Sequence, residues 1–459
     1  MKIKFVLIAC SICCCTSATA QQIYSLEQLK QLAVENNYTL RSARSSIQQS
    51  KEVQRSAFTK YFPTLSAMGV GFMNNKPMID IDLSLPDDAM AVMGEVVSEL
   101  DLSPQTQQHI GAVMAGIPQG ITLMKRGIYG TVTALQPVFM GGQIVNGNKL
   151  AKVGVQASEI QLENSQNQVE LTTEQYYWKA VNLKEKLLTL AAVHNMLDTL
   201  ERDVNNMVRA GVINRNDLLQ VQLRKGEVEA TTLEVENGLT TIRQLLAQHC
   251  GKNGETIDVR MPDDFSFGSV PAMPLSLKKD HLASLPATPH YRLLEKNVES
   301  QRLQRNLKVG ENLPSVAIGA DYGYNDFVGK QTNAMLFATV SVPISAWWGG
   351  SHDIKKHRLA YEDAKEQLQD AGQKLVINMN NAWAAVETSH KKLVIASDAI
   401  KQAEENLRLN RDYYRVGTTK MSDLLTAQEQ YQQTRDRFVD AYADFQTKQL
   451  EYRQATGQD

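Results

Sequence analysis

Gly417-Thr418-Thr419-Lys420-Met421-Ser422-Asp423-Leu424-Leu425-Thr426-Ala427-Gln428 has an earlier copy in Gly211-Val212-Ile213-Asn214-Arg215-Asn216-Asp217-Leu218-Leu219-Gln220-Val221-Gln222. The glycines lie 206 positions apart (417 minus 211), and so do the aspartates (423 minus 217). Each copy separates two long helical patterns, so each reads as a sharp reversal. The glycine supplies the turn, and the aspartate is expected to cap the next helix.

Working outward, the segments after the two turns share a register. Val221, Val228, Val235 and Ile242 recur every seven residues, beside a second track of Leu218, Lys225, Thr232, Leu239 and Leu246. After the second turn, Leu424, Tyr431, Phe438, Phe445 and Tyr452 do the same, and Leu424 falls 206 positions beyond Leu218. Such tracks need partner helices to cover them, and each reversal supplies one antiparallel partner. Before the first turn, residues 143–209 contain no proline. One continuous helix there would be roughly 100 Å long at ~1.5 Å per residue. Its counterpart runs from Gly349-Gly350 to about Tyr414.

Further out, four alternating runs read as strands, at about 64–73, 127–137, 314–324 and 334–343. Pro63 and Pro314 border the first member of each pair, and Pro137 and Pro343 border the second. Met68, Val70 and Phe72 alternate with Ala67, Gly69 and Gly71. With Tyr322 and Tyr324 they are expected to face lipid. Residues 25–60 read as a helix capped by Ser25. The loop at 73–126 is expected to hold short helical pieces at about 87–100 and 105–116. The unit helix–strand–strand–long helix–reversal–helix therefore occurs twice, in repeats 21–250 and 285–459. Residues 251–284, rich in Pro, Gly, Asp and Ser, read as a linker with little structure of its own.

The start of the chain is a separate signal. Lys2 and Lys4 precede an apolar run from Phe5 to Cys15 and then Ala18-Thr19-Ala20, so residues 1–20 read as a secretory signal peptide. Lipid attachment at Cys10, after Leu7-Ile8-Ala9, is the alternative, although it leaves an apolar core of only about five residues against the usual ~7–15. Four of the five cysteines fall in this segment, so processing leaves Cys250 with no internal disulfide partner. With 48 basic and 50 acidic residues, the balance gives no reason to expect nucleic acid as a partner.

Enzyme signatures fail. Gly142 and Gly147 precede Asn148-Lys149-Leu150, a near miss for a phosphate loop, because the lysine and hydroxyl side chains are out of place. His352 and His357 are five apart and fall on different helix faces. No cofactor is expected.

Beyond residue 20 no apolar run is long enough for a membrane helix. The strands, by contrast, have the ~9–11 residues that cross a bilayer when tilted. Four strands cannot close a barrel, and an open edge cannot face lipid. Closure requires several chains to share one barrel, continued by coiled-coil helices.

The paired proline borders, Gly141-Gly142, Gly349-Gly350 and above all Tyr414-Arg415-Val416-Gly417-Thr418 with Asp423-Leu424-Leu425 carry a resemblance. The chain resembles the TolC family of outer-membrane efflux proteins over its mature length. The resemblance implies a mostly α fold with a membrane β-barrel part. Four strands from each protomer of a homotrimer would make a twelve-stranded barrel, continued by a periplasmic α-helical tunnel. It implies an exit duct in the outer membrane of a Gram-negative-type bacterium, serving a tripartite efflux or type I secretion system. Its partners would be a periplasmic adaptor and an inner-membrane pump of RND or ABC type, with outer-membrane lipid around the barrel. Carried over by position, Asp217, Asp423 and Tyr414 belong to the periplasmic aperture, while Gly211, Val212, Val416, Gly417 and Thr418 are the adaptor-docking tips. Thr419 and Thr426 depart from the family's charged latch, with Lys420 or Arg215 as possible substitutes. The rival class is a non-channel periplasmic coiled-coil adaptor or scaffold.

Overall fold

The computed structural model describes residues 22–458 except 77–78, 83–88, 90, 93–94, 97–119, 124–125, 255–256, 263–264, 327–329 and 345. The expected signal peptide and the helical piece at 105–116 lie outside the described residues, as does most of the piece at 87–100. The first repeat runs β1 (Gln22–Tyr24), α1 (Leu26–Asn36), α2 (Tyr38–Thr59), β2 (Thr64–Met73), β3 (Ile79–Asp82), β4 (Gly120–Leu123), β5 (Arg126–Met140), α3 (Gln143–Arg209) and α4 (Arg215–His249). After β6 (Ile257–Val259) and a few single turns come α5 (Pro289–Glu311), β7 (Ser315–Asn325), β8 (Gln331–Ser341), α6 (Ala346–Arg415) and α7 (Met421–Ala455). The chain divides into a sheet unit (53–151 and 302–360) and a helical unit holding the rest.

In the sheet unit four strands pair antiparallel in the order β2-β5-β7-β8, which leaves β2 and β8 as the edges among the described residues. Side chains directly opposed across antiparallel strands share a face, so the register sorts the residues. Leu65, Ala134, Ala320 and Leu336 form one cross-strand row, and Ala67, Val132, Tyr322 and Ala334 form the next. Ser66, Thr133, Asp321 and Met335 form a row on the opposite face, where Asp321 accepts hydrogen bonds from Thr131 (2.5 Å) and Thr133 (2.7 Å). One face is therefore largely apolar or small, with Leu65, Val132, Ile318, Tyr322, Leu336 and Val340, and its polar members Arg126, Gln136 and Thr332 lie toward the strand ends. The other mixes Ser, Thr, Asn and Asp with a few large apolar groups.

This register corrects one expectation. Tyr322 and Tyr324 oppose Val132 and Gly130, and through them Ala67 and Gly69, so they lie on the face away from Met68, Val70 and Phe72. Alternation gives the two faces of each strand, but only the pairing says which faces coincide. A second difference concerns Pro137. β5 does not stop there but continues to Met140 through a bulge between Pro137 and Phe139. Proline lacks the N–H of a regular ladder and is accommodated where pairing is interrupted. On the second face Phe337 lies over Gly319, where a Cβ would come within 2.3 Å of its ring.

The helical unit carries two buried clusters. One gathers Leu29 and Leu40 with Tyr177, Trp178, Leu246, Trp383, Phe438, Phe445 and Tyr452. The first heptad track is buried along its length, at Val221, Val228, Val235 and Ile242. The expected 25–60 helix is broken at Asn37, whose buried side chain accepts from Thr39 N (2.8 Å) and donates to the His249 carbonyl (2.8 Å). The 251–284 stretch also differs from expectation. Its β6 pairs in parallel with β1, and buried Asp258 receives Arg243 at 2.7 Å and Lys184 at 3.1 Å. No described helix is long and apolar enough to cross a membrane.

Candidate functional site

Both reversals in the helical unit close in the same way. At the first, Gly211 adopts φ +76°, its N–H reaches Val208 O (3.0 Å), and Val212 N–H reaches Met207 O (2.9 Å). At the second, Gly417 adopts φ +77°, its N–H reaches Tyr414 O (3.0 Å), and Thr418 N–H reaches Tyr413 O (2.9 Å). This pair of bonds, one spanning three residues and one spanning five, is the Schellman ending of a helix. Space around both glycines is open, so positive φ, and not crowding, selects glycine.

The aspartates do not cap. The residues at the helix starts are Asn214 and Lys420, and neither makes a side-chain cap bond. Asp217 and Asp423 sit two residues inside α4 and α7, in the first turn, where a carboxylate still complements the helix dipole. Asp423 accepts from Thr419 Oγ1 (3.1 Å) and Ser422 Oγ (3.3 Å), all within its own turn. Thr426 returns its hydroxyl to the Ser422 carbonyl (2.8 Å). Among the described residues, neither Arg215 nor Lys420 pairs with either aspartate.

Tyr414 differs from both aspartates. Its hydroxyl is buried without a hydrogen-bond partner. Burial, reinforced by the negative charge of Asp217, pushes its ionisation above the ordinary tyrosine range. The fold thus brings Tyr414 of the second hairpin under the influence of Asp217 of the first, while Asp423 stays with its own turn. Tyr414 also lines a cleft of about 360 Å³ between α3 and α6, with Met196, Leu200, Met207 and Arg411. Beneath the tips the two hairpins share one core, joining Leu197, Val204 and Val221 to Leu407, Met421 and Leu424. The turn residues stay outside it, with Val212 71% and Val416 72% exposed.

Two features near the tips escaped the sequence reading. Gln428 is buried with both amide atoms unpartnered, one turn beyond Leu424 in the same core. On the first hairpin Lys225 joins Asp198 (2.6 Å) and Glu201 (3.2 Å), clipping α4 to α3. Spacing within one helix signals neither, because both depend on how neighbouring helices are rotated.

Residues 289–458 match the family model described as outer membrane efflux protein. The resemblance to that family is borne out. The fold of nearly the whole chain is also found among solved structures. The outer membrane protein VceC from Vibrio cholerae matches with TM-score 0.71 at 14% identity, covering 94% of this chain and 96% of its own. CusC, described with transmembrane channel formation, matches with TM-score 0.75 at 13% identity, covering 96% and 93%. The MtrE outer membrane channel of Neisseria gonorrhoeae, in its open state, matches with TM-score 0.69 at 16% identity, covering 94% and 89%. No curated protein sequence matches.

Proposed function

We propose that this chain is one protomer of a passive outer-membrane exit duct. The observation that carries the reading is the open four-stranded sheet, with one largely apolar face, one mixed polar face and, among the described residues, two unpaired edges. Unpaired backbone groups cannot face hydrocarbon, so a membrane sheet of this kind must close on copies of itself. Three chains would pair β8 of one with β2 of the next into a twelve-stranded barrel, apolar face to lipid and polar face to the lumen. The paired helical hairpins would form a periplasmic tunnel, with six tips around one mouth.

The duct would open when a periplasmic adaptor docks on Gly211, Val212, Val416, Gly417 and Thr418, with an inner-membrane pump supplying the energy. Exposure of both valines and the open space around both glycines support a docking role for these turns. Asp217, Asp423 and Tyr414 are assigned to the aperture. The charge of Asp217 acts on Tyr414 across the hairpins, so this pair is the better placed to sense a shift between them. Reconstitution in planar bilayers tests the reading: discrete conductance steps are expected from purified trimer. A stable trimer that never conducts, even with both tip aspartates replaced by alanine, refutes the duct and favours a scaffold.

A further inference from the structure

The sheet unit contains a charge anomaly that the duct reading leaves unused. All four strand–helix crossings meet at one end of the sheet, where the register brings Thr64 close to β5's end and pairs Met140 with Ser315 and Ser315 with Ser341. Exposed aromatic side chains crowd these crossings. Phe58 packs on Tyr61 and Phe62 with centroids 5.7 and 5.5 Å apart, and Trp347 and Trp348 open α6. Trp347 is anchored by its indole N–H on the Asn312 carbonyl (2.8 Å). Tryptophan and tyrosine favour the membrane–water boundary, so these crossings mark one.

Just beyond the aromatic residues, the helical parts of this unit (53–62, 143–151, 302–314 and 346–360) hold nine Lys and Arg against two Asp and Glu. The chain as a whole carries a net charge of −2, so the basic excess is local. Lys60, Lys149, Lys355 and Lys356 are exposed, and none makes an ion pair among the described residues. Lys149 lies six residues into α3 and Lys355 nine into α6, or about 9 and 14 Å along their helices. A lipid headgroup layer is roughly 5–8 Å deep, and electrostatic attraction persists for about another 8–10 Å. An enzyme or adaptor site would concentrate charge on one face. Here the charge is spread over all four crossing segments, as a surrounding lipid surface requires.

We propose that these residues form a basic collar that selects anionic phospholipid headgroups around the foot of the barrel. The proposal rests on the membrane reading above. Each cation near an anionic surface strengthens binding by a few-fold, so removing three weakens it on the order of 100-fold. Two of the four tryptophans, Trp178 and Trp383, are buried in the helical unit, leaving Trp347 and Trp348 as exposed reporters beside the collar. The full mature protein is reconstituted in phosphatidylcholine vesicles containing a minor fraction of brominated phosphatidylglycerol or brominated phosphatidylcholine, and tryptophan quenching is compared. Stronger quenching by the anionic lipid is expected, falling to equality in Lys149→Gln/Lys355→Gln/Lys356→Gln and in high salt. Equal quenching by both lipids in the unmodified protein overturns the collar while leaving the membrane reading intact. Quenching by neither overturns the membrane reading itself. If the triple variant keeps its lipid preference but no longer sediments with purified cell-wall sacculi, the collar binds glycan instead and the lipid assignment fails.

Discussion

Leu336 and Met335 are neighbours in the middle of β8, and in the single chain both are exposed, at 86% and 58%. Exposure alone therefore predicts similar tolerance to a charge. The register predicts the opposite. Leu336 opposes Ala320 on the apolar face, whereas Met335 opposes Asp321 on the polar face. In the closed barrel Leu336→Arg places a cation at mid-depth in hydrocarbon, costing roughly 2–4 kcal/mol per chain. At 1.4 kcal/mol per decade this is a shift of about 30- to 1,000-fold in the insertion equilibrium. Met335→Arg places the same cation in the lumen beside a carboxylate, with an expected change within about 1 kcal/mol. Urea titration of vesicle-inserted protein, read by tryptophan emission and by heat-modifiable migration of the trimer, measures both. Equal destabilisation by the two substitutions, or a larger effect at Met335, refutes the facial assignment and with it the barrel.

Three further outcomes are expected. Asp217→Ala with Asp423→Ala removes the carboxylate that acts on Tyr414 and the one that holds its own turn, so single-channel recordings should show longer open times; unchanged traces leave both as helix-terminal charges only. At Asp258, burial alone would raise the pKa, but hydrogen bonds from Arg243 and Lys184 outweigh it and hold the carboxyl below the ordinary range. A depressed folded-state pKa gives stability that is present above the unfolded value and lost as pH falls through the folded one. Asp258→Asn should therefore lower the melting temperature at pH 7, and the gap from the unmodified protein should close as pH falls below about 4; a pH-independent gap contradicts the ion-pair role. Burial pushes the Cys250 thiol up to about 11, so maleimide should label it slowly at pH 8 in the native protein and quickly in urea, and rapid native labelling would show that this core opens.

How much of this was legible beforehand follows the range of the forces involved. The duplication, the tips and the heptad burial at Val221, Val228 and Val235 are local periodicities, and they survive in the structure because each needs only its own helix and one partner. The second half also carries the family match at 289–458. What was not legible depends on pairings between distant segments. Three-residue β1 finds β6 more than 200 positions away, a contact that no composition or spacing announces. The error over Tyr322 and Tyr324 has the same origin, because a period-two pattern is blind to which face its neighbour presents. At the site, Tyr414 comes under the charge of Asp217 through packing of α3, α4, α6 and α7 on a common core. The misassigned caps have a simpler cause. Asp at a helix start fits both the cap and the first turn, and only the backbone decides between them.

The duplication also constrains how the mouth works. The two reversals share one hydrogen-bond pattern, so their backbone positions are nearly interchangeable. Their side chains are not. Arg209 stands where the second copy has Arg415, but Val208 and Val212 stand where it has Tyr414 and Thr418. Among the described residues at the two turns, the second hairpin has the buried tyrosine hydroxyl and fastens its aspartate through threonine and serine. In a trimer, backbone geometry would give the mouth near six-fold regularity while its chemistry would alternate in threes. A partner gripping backbone and apolar tips could use all six positions alike. A motion that breaks the Tyr414–Asp217 influence would act only where a second hairpin meets a first. Docking and gating would thus be separable on such a ring of turns, because they would read different parts of one repeated structure.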